Sequence, residues 1–168
     1  DTAVFVNIWG VTLDEYVEVA RRLEAAREGI DALEINISCP NIKAGGIAFG
    51  TDLKAAAAVV GGCRAVTSLP LITKLSPNVS DIGAFARCVV DAGSDMVSLI
   101  NTYPALAIDV ETRRPRIANG FGGYSGRAVK PLAVRAVYQA AAAVDVPVIG
   151  MGGIAEPEDA VEFMLAGA

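Results

Sequence analysis

A chain of 168 residues, 53% hydrophobic and 20% charged, has the composition of one soluble globular domain and excludes a disordered tail. A net charge of −5 with no histidine disfavours a nucleic-acid partner, since no basic stripe is present to release counterions, and removes the commonest general base and metal ligand. Its apolar runs stop short of the roughly 20 residues that cross a bilayer, so no membrane association and a cytoplasmic location are expected.

The run Val4 to Trp9 reads as a first strand carrying Asn7, followed by a helix whose start is marked by Thr12 and Glu15 as a capping box. Tyr16, Val19, Ala20 and Leu23 give that helix one apolar face, and Gly29 closes it. Ala32 to Ile37 is a second strand leading into Ser38, Cys39, Pro40 and Asn41. The stretch from Asp52 to Ser68 reads as a weaker helix, because Gly61 and Gly62 each cost on the order of 1 kcal/mol relative to Ala. A third strand, Leu69 to Leu75, carries Lys74; Ser80 then suits a helix cap ahead of Ile82, Phe85, Ala86 and Val89, with Gly93 as the stop. Asp95 to Ile100 is a fourth strand that ends on Asn101 and Thr102.

Residues 103–124 break the alternation. Ala107, Ile108 and Val110, then Arg116, Ile117 and Ala118, flank a charged turn from Glu111 to Arg114, the pattern of an inserted hairpin or lid. Pro131 opens a further helix with Val134, Val137, Tyr138 and Ala141 on one face, Val146 to Met151 forms a fifth strand ending at Gly152 and Gly153, and Pro157 starts a last helix with Gly167 after it. The chain begins on Asp1 and ends in helix-like sequence, so both ends read as cut.

Strands alternating with helices imply an α/β fold with parallel pairing, either doubly wound or a (β/α)₈ TIM barrel. Polar and glycine residues gather at the ends of different strands, as on the active face of a barrel, whereas a doubly wound sheet concentrates them at one switch point. The expected fold is therefore a single domain over 1–168, a partial barrel with about five of its eight strand-helix units and a hairpin over its mouth, since a complete barrel takes roughly 250 residues.

Cys39, Cys63 and Cys88 are odd in number and widely spaced, which argues against a disulfide framework and against a metal site. Cys63 and Cys88 lie in helical apolar runs and read as small core residues. Cys39 sits instead in Glu34-Ile35-Asn36-Ile37-Ser38-Cys39-Pro40-Asn41, where a buried strand delivers two carboxamides and a thiol into a proline-fixed loop. Paired donors and acceptors on Asn36 and Asn41 suit a pyrimidine edge, although a lone Asn more often ties its own loop. Lys74 ends an apolar strand, where a cation calls for an anionic partner. Gly152 and Gly153 can bring bare backbone N–H groups to a phosphate, and Gly126 reads equally as a turn glycine.

That octapeptide, with Gly45 to Asp52, Lys74-Leu75-Ser76-Pro77-Asn78, Ile100-Asn101-Thr102, Ala118-Asn119-Gly120, Gly122 to Gly126 and Ile149 to Ile154, closely resembles class 1 dihydroorotate dehydrogenases over the whole chain, in particular subclass 1B, which works with an iron–sulfur flavoprotein subunit. The resemblance implies an FMN-dependent oxidation of dihydroorotate to orotate in pyrimidine biosynthesis, with Cys39 removing the C5 proton while hydride leaves C6 for the flavin. It implies that Asn36, Asn41, Asn101 and Thr102 bind the substrate, and that Asn7, Asn36, Lys74, Ile100, Gly126, Gly152 and Gly153 bind FMN. It also implies a homodimer, with electrons passing to NAD through a separate subunit holding FAD and a [2Fe–2S] cluster. A non-redox phosphate-binding barrel, an isomerase or lyase, would explain Gly152 and Gly153 but not Asn36, Cys39 and Lys74 together, and an inactive barrel fragment is the other alternative.

Overall fold

A computed structural model of the protein describes residues 2–38 and 49–168. In chain order it contains β1 (Phe5–Ile8), α1 (Leu13–Ala25), β2 (Ala32–Asn36), α2 (Leu53–Arg64), β3 (Leu71–Lys74), α3 (Ile82–Asp91), β4 (Met96–Leu99), β5 (Tyr103–Ala105), β6 (Ile108–Asp109), β7 (Arg114–Pro115), β8 (Gly122–Tyr124), α4 (Lys130–Ala141), β9 (Val148–Gly150) and α5 (Pro157–Leu165). No helix among the described residues is long and apolar enough to cross a membrane.

The fold is α/β, built on a parallel sheet with strand order β1-β2-β3-β4-β9. Each strand lies beside the next of the five in sequence, so among the described residues there is no reversal of order and no switch point of the doubly wound kind. The helices pack in the same succession, α1 on α2, α2 on α3, α3 on α4 and α4 on α5. Right-handed crossovers between successively added strands place every helix on one side of the sheet.

The two faces of the sheet differ accordingly. Side chains alternate along a strand. Ile8, Leu33, Ile35, Leu71, Val97, Leu99 and Val148 share the helix side and are buried in one core with Tyr16, Ala20, Val59, Val60, Phe85 and Val89. The other face carries Asn7, Glu34, Asn36, Lys74 and Ser98 in matched register. The strands look apolar enough in sequence to be covered on both sides, yet this second face holds the charged and carboxamide residues and only part of it is buried; Thr73 is the one polar residue of these strands on the helix side, paired with Ser94.

Local signals explain most boundaries. The Thr12 side chain accepts from Glu15 N while Glu15 reaches back to the backbone of the cap, as the spacing predicts. Pro131 and Pro157 occupy first-turn positions. The cap of α3 is Asp81 and not Ser80: the Asp81 carboxylate accepts from Ala84 N at 2.9 Å, and an anion at a helix start also interacts with the macrodipole. The second helix is shorter than the sequence suggests, ending at Arg64, because that guanidinium turns back onto the Thr67 and Leu69 carbonyls and Asp95 and fixes a loop there. Cys63 is fully buried and burial pushes its thiol up to about 12, whereas Cys88 is only half-buried and donates to the Leu53 carbonyl at 3.2 Å.

Residues 103–124 form two short antiparallel ladders, β5 with β8 and β6 with β7. The inner turn falls at 110–113, where Asp109 Oδ1 accepts from Glu111 N, Thr112 N and Thr112 Oγ1 and Arg113 takes a left-handed φ of 55°.

Candidate functional site

Two groups of polar side chains lie on the open face of the sheet, toward the C-terminal ends of its strands. In the first, Asn36 Oδ1 accepts from Ser38 N at 3.3 Å, Ser38 Oγ at 3.0 Å and Asn101 Nδ2 at 3.1 Å. The same Asn101 amide donates to Ser38 Oγ at 2.6 Å, and its Oδ1 accepts from Thr102 N at 2.8 Å. The backbone beneath is fixed as well, because Tyr16 OH, from the buried face of α1, donates to the Asn36 carbonyl at 2.8 Å. Asn78 Nδ2 donates to the Thr102 carbonyl at 3.2 Å and to Ser76 Oγ at 3.2 Å. Asn36, Asn101 and Thr102, from β2 and the end of β4, therefore form one hydrogen-bonded set. Cys39 and Asn41 lie outside the described residues, which stop at Ser38 before them in the chain.

The second group centres on Glu34, one strand repeat before Asn36 and so on the same face. Its carboxylate accepts from Asn7 Nδ2 and from Ser98 Oγ, the latter at 2.6 Å, and lies 3.9 Å from Lys74 Nζ. Asn7 and Lys74 are thus brought together, through a residue to which the sequence reading gave no role. The signal was present: a carboxylate among Ala32, Leu33 and Ile35 needs partners, and period-two alternation aligns it with Asn36. Ser38 and Asn78 stood inside quoted motifs but were given no role, and Ser98 was missed because nothing in its local sequence separates it from an ordinary hydroxyl.

The glycines form a third group. Gly152 and Gly153 follow β9 with φ of 122° and 81°, and Gly126 has φ of 99°. A Cβ on Gly153 would lie 2.9 Å from both Gly126 O and Lys130 N, and one on Gly152 would lie 3.3 Å from Ile100 Cγ1. The chain here needs bare backbone, and it brings Gly126, Gly153 and the start of α4 together beside Ile100. A helix start flanked by side-chain-free peptide groups is a cradle suited to an anion such as a phosphate. Lys130 itself is held on α5 by Asp159 at 2.7 Å and Glu162 at 2.6 Å, so its ammonium is already paired.

Gly123 of β8 is pressed against Thr102; a Cβ there would lie 2.4 Å from Thr102 Oγ1. The 103–124 arm is thereby seated on Thr102, the hydroxyl-bearing member of the hydrogen-bonded set.

A family model described as Dihydroorotate dehydrogenase matches residues 1–168. The chain is 58% identical over its full length to the Dihydroorotate dehydrogenase B (NAD(+)), catalytic subunit, of Desulforudis audaxviator (strain MP104C), covering 54% of that protein. The protein of the same name from Geotalea daltonii (strain DSM 22248 / JCM 15807 / FRC-32) is 56% identical over 168 residues, with 55% of its length covered. That of Geobacter sulfurreducens (strain ATCC 51573 / DSM 12127 / PCA) is 58% identical over 167 residues, which are 99% of this chain and 54% of the relative. The chain spans about half the length of these curated relatives. With a family model matched from first residue to last and identities above one half, the chain belongs to the dihydroorotate dehydrogenase family.

Proposed function

We propose that this chain forms the catalytic part of an FMN-dependent enzyme that oxidises dihydroorotate to orotate in pyrimidine biosynthesis. The observation that carries the reading is the hydrogen-bonded set of Asn36, Asn101 and Thr102 on the same open face as Lys74, the only cation among the sheet residues of that face. A dihydropyrimidine presents alternating carbonyl and N–H groups, and carboxamides offer the complementary donors and acceptors. Asn41, outside the described residues, is assigned to the same substrate by the sequence resemblance alone. Cys39 is the base that takes the C5 proton onto Sγ; an ordinary thiol ionises near ~8.5, close enough to neutrality for a modest shift to give useful thiolate.

The described residues fit the flavin. Gly126, Gly152 and Gly153 form a bare-backbone cradle for its phosphate, Ile100 packs beside them, and Asn7, Asn36 and Lys74 supply polar contacts, with the Lys74 ammonium placed to offset negative charge. When bound, FMN supplies the acceptor for the hydride leaving C6. The chain's own part is to hold the substrate flat by amides, carry off one proton and keep one positive charge in place.

The monotonic strand order and one-sided helices support a (β/α)₈ barrel of which 1–168 is the FMN-binding part, the open polar face being its interior and 103–124 a lid over its mouth. The relatives are named as catalytic subunits of the B, NAD(+)-linked type; with the sequence resemblance this supports reading the enzyme as a cytoplasmic homodimer that passes electrons to NAD through a partner subunit carrying FAD and a [2Fe–2S] cluster.

The test uses the protein in its full natural length, wild type and Cys39→Ser. Both are expected to hold FMN, and dihydroorotate is expected to bleach the flavin of the wild type quickly and that of the variant at least ~100-fold more slowly near neutral pH, the range for loss of a positioned base. Equal rates remove Cys39 from the mechanism. A wild-type protein that purifies colourless removes the flavin, and with it the oxidation.

A further inference from the structure

We propose that Glu34 is a positioning residue that holds Lys74 and sets how much of its positive charge a ligand on the open face feels; the inference rests on the FMN reading above. Three strands converge on this one carboxylate. Asn7 from β1 donates to Oε2, Ser98 from β4 donates to Oε1 at 2.6 Å, and Lys74 from β3 stands 3.9 Å from Oε2. With only 15% of its side chain exposed, Glu34 is fixed at both oxygens by neutral donors, and Lys74 is only 21% exposed beside it.

The distances assign the roles. A direct N⁺–H···O⁻ bond runs about 2.7–2.9 Å. At 3.9 Å the two charges attract, yet Glu34 does not use up the N–H donors of Lys74, which stay available to another acceptor. Glu34 therefore acts as a held-back counterion: it restrains the direction of the ammonium and offsets part of its field. A carboxylate that merely braced the sheet would need its hydrogen bonds and not its charge, and glutamine keeps both: its oxygen accepts from Asn7 Nδ2 and its amide donates to the Ser98 hydroxyl, which can accept as well as donate.

The electrostatic role thus makes a prediction that the bracing role does not. In the full-length protein loaded with FMN, Glu34→Gln leaves Lys74 less compensated and favours the negatively charged reduced flavin. The two-electron midpoint potential should rise, by about 30 mV for each tenfold change in the reduced-to-oxidised ratio, and we expect roughly one such tenfold change. Glu34→Asp, which draws the same charge back by one methylene, should shift the potential in the same direction by less, and it serves where Glu34→Gln does not fold. Spectroscopic titration against a reference dye reads both without turnover. A wild-type protein that retains flavin but whose potential is indifferent to these substitutions, or falls, overturns the proposal alone. A wild-type protein that retains no flavin overturns the cofactor reading, and the proposal with it.

Discussion

At the scale of single residues, the closest approach at the site is made by a side chain that is absent. Gly123 lies in ordinary backbone, so its requirement is steric: a methyl group would overlap Thr102 Oγ1 at 2.4 Å and Thr102 Cβ at 2.9 Å. Gly123→Ala should displace Thr102 or lift the arm, with overpacking strain of ~1–3 kcal/mol. In the full-length protein we expect a lower Tm and, under the proposed function, a several-fold higher KM for dihydroorotate, with kcat changing less, because Lys74 is on another element. An unchanged KM would count against a substrate role for the residue set on which the arm rests. The same scale holds the main surprise, Glu34, whose partners come from three strands distant in sequence and are joined only by the register Asn7↔Glu34 and Asn36↔Lys74.

At the scale of elements, periodicity and caps located each strand and helix of the main sheet to within a few residues. The capping box of α1 satisfies N–H groups that the helix cannot satisfy itself, and Thr12→Ala should cost about 1 kcal/mol, measured as a lower urea midpoint with an unchanged slope. A shift beyond the scatter in the opposite direction would show that the cap contributes nothing. The misplaced cap of α3 has a plain cause: Ser80 and Asp81 are both good cap residues in adjacent positions, and only the backbone path into Ile82 decides which oxygen meets Ala84 N. The two ladders of the 103–124 arm are short, and their register is fixed by the Asp109 turn more than by side-chain pattern.

At the scale of the whole molecule, carboxylates tie elements together. Glu24 at the end of α1 accepts from Thr67 Oγ1, Ser68 N and Ser68 Oγ in the loop before β3, and pairs with Arg27. The Thr67 hydroxyl above all, with the Ser68 donors and Arg27, holds its carboxyl at about 2, well below the usual 4.5. A group whose folded value is depressed stabilises fully above its unfolded value and loses that contribution as pH falls through the folded one. The gap in urea midpoint between the full-length wild type and Glu24→Gln should therefore be widest above about pH 5, narrow from 4.5 downward and vanish near 2. A gap independent of pH would refute this linkage. Asp159, lowered chiefly by Lys130, adds to the same acid-side loss by fastening α4 to α5.

The sequence by itself determined the α/β class, the order of the elements and the concentration of Asn, Lys and Gly at strand ends, because hydrophobic period, turn residues and caps act over a few neighbours. The tertiary structure decided which of those residues meet: Asn36 with Asn101, Asn7 and Lys74 with Glu34, Gly126 with Gly153. It also decided that one face of the sheet is apolar beneath helices while the other stays polar. Such contacts depend on strand register and crossover handedness, which are set by packing the helices against the sheet as a whole and leave no mark at any one position of the chain.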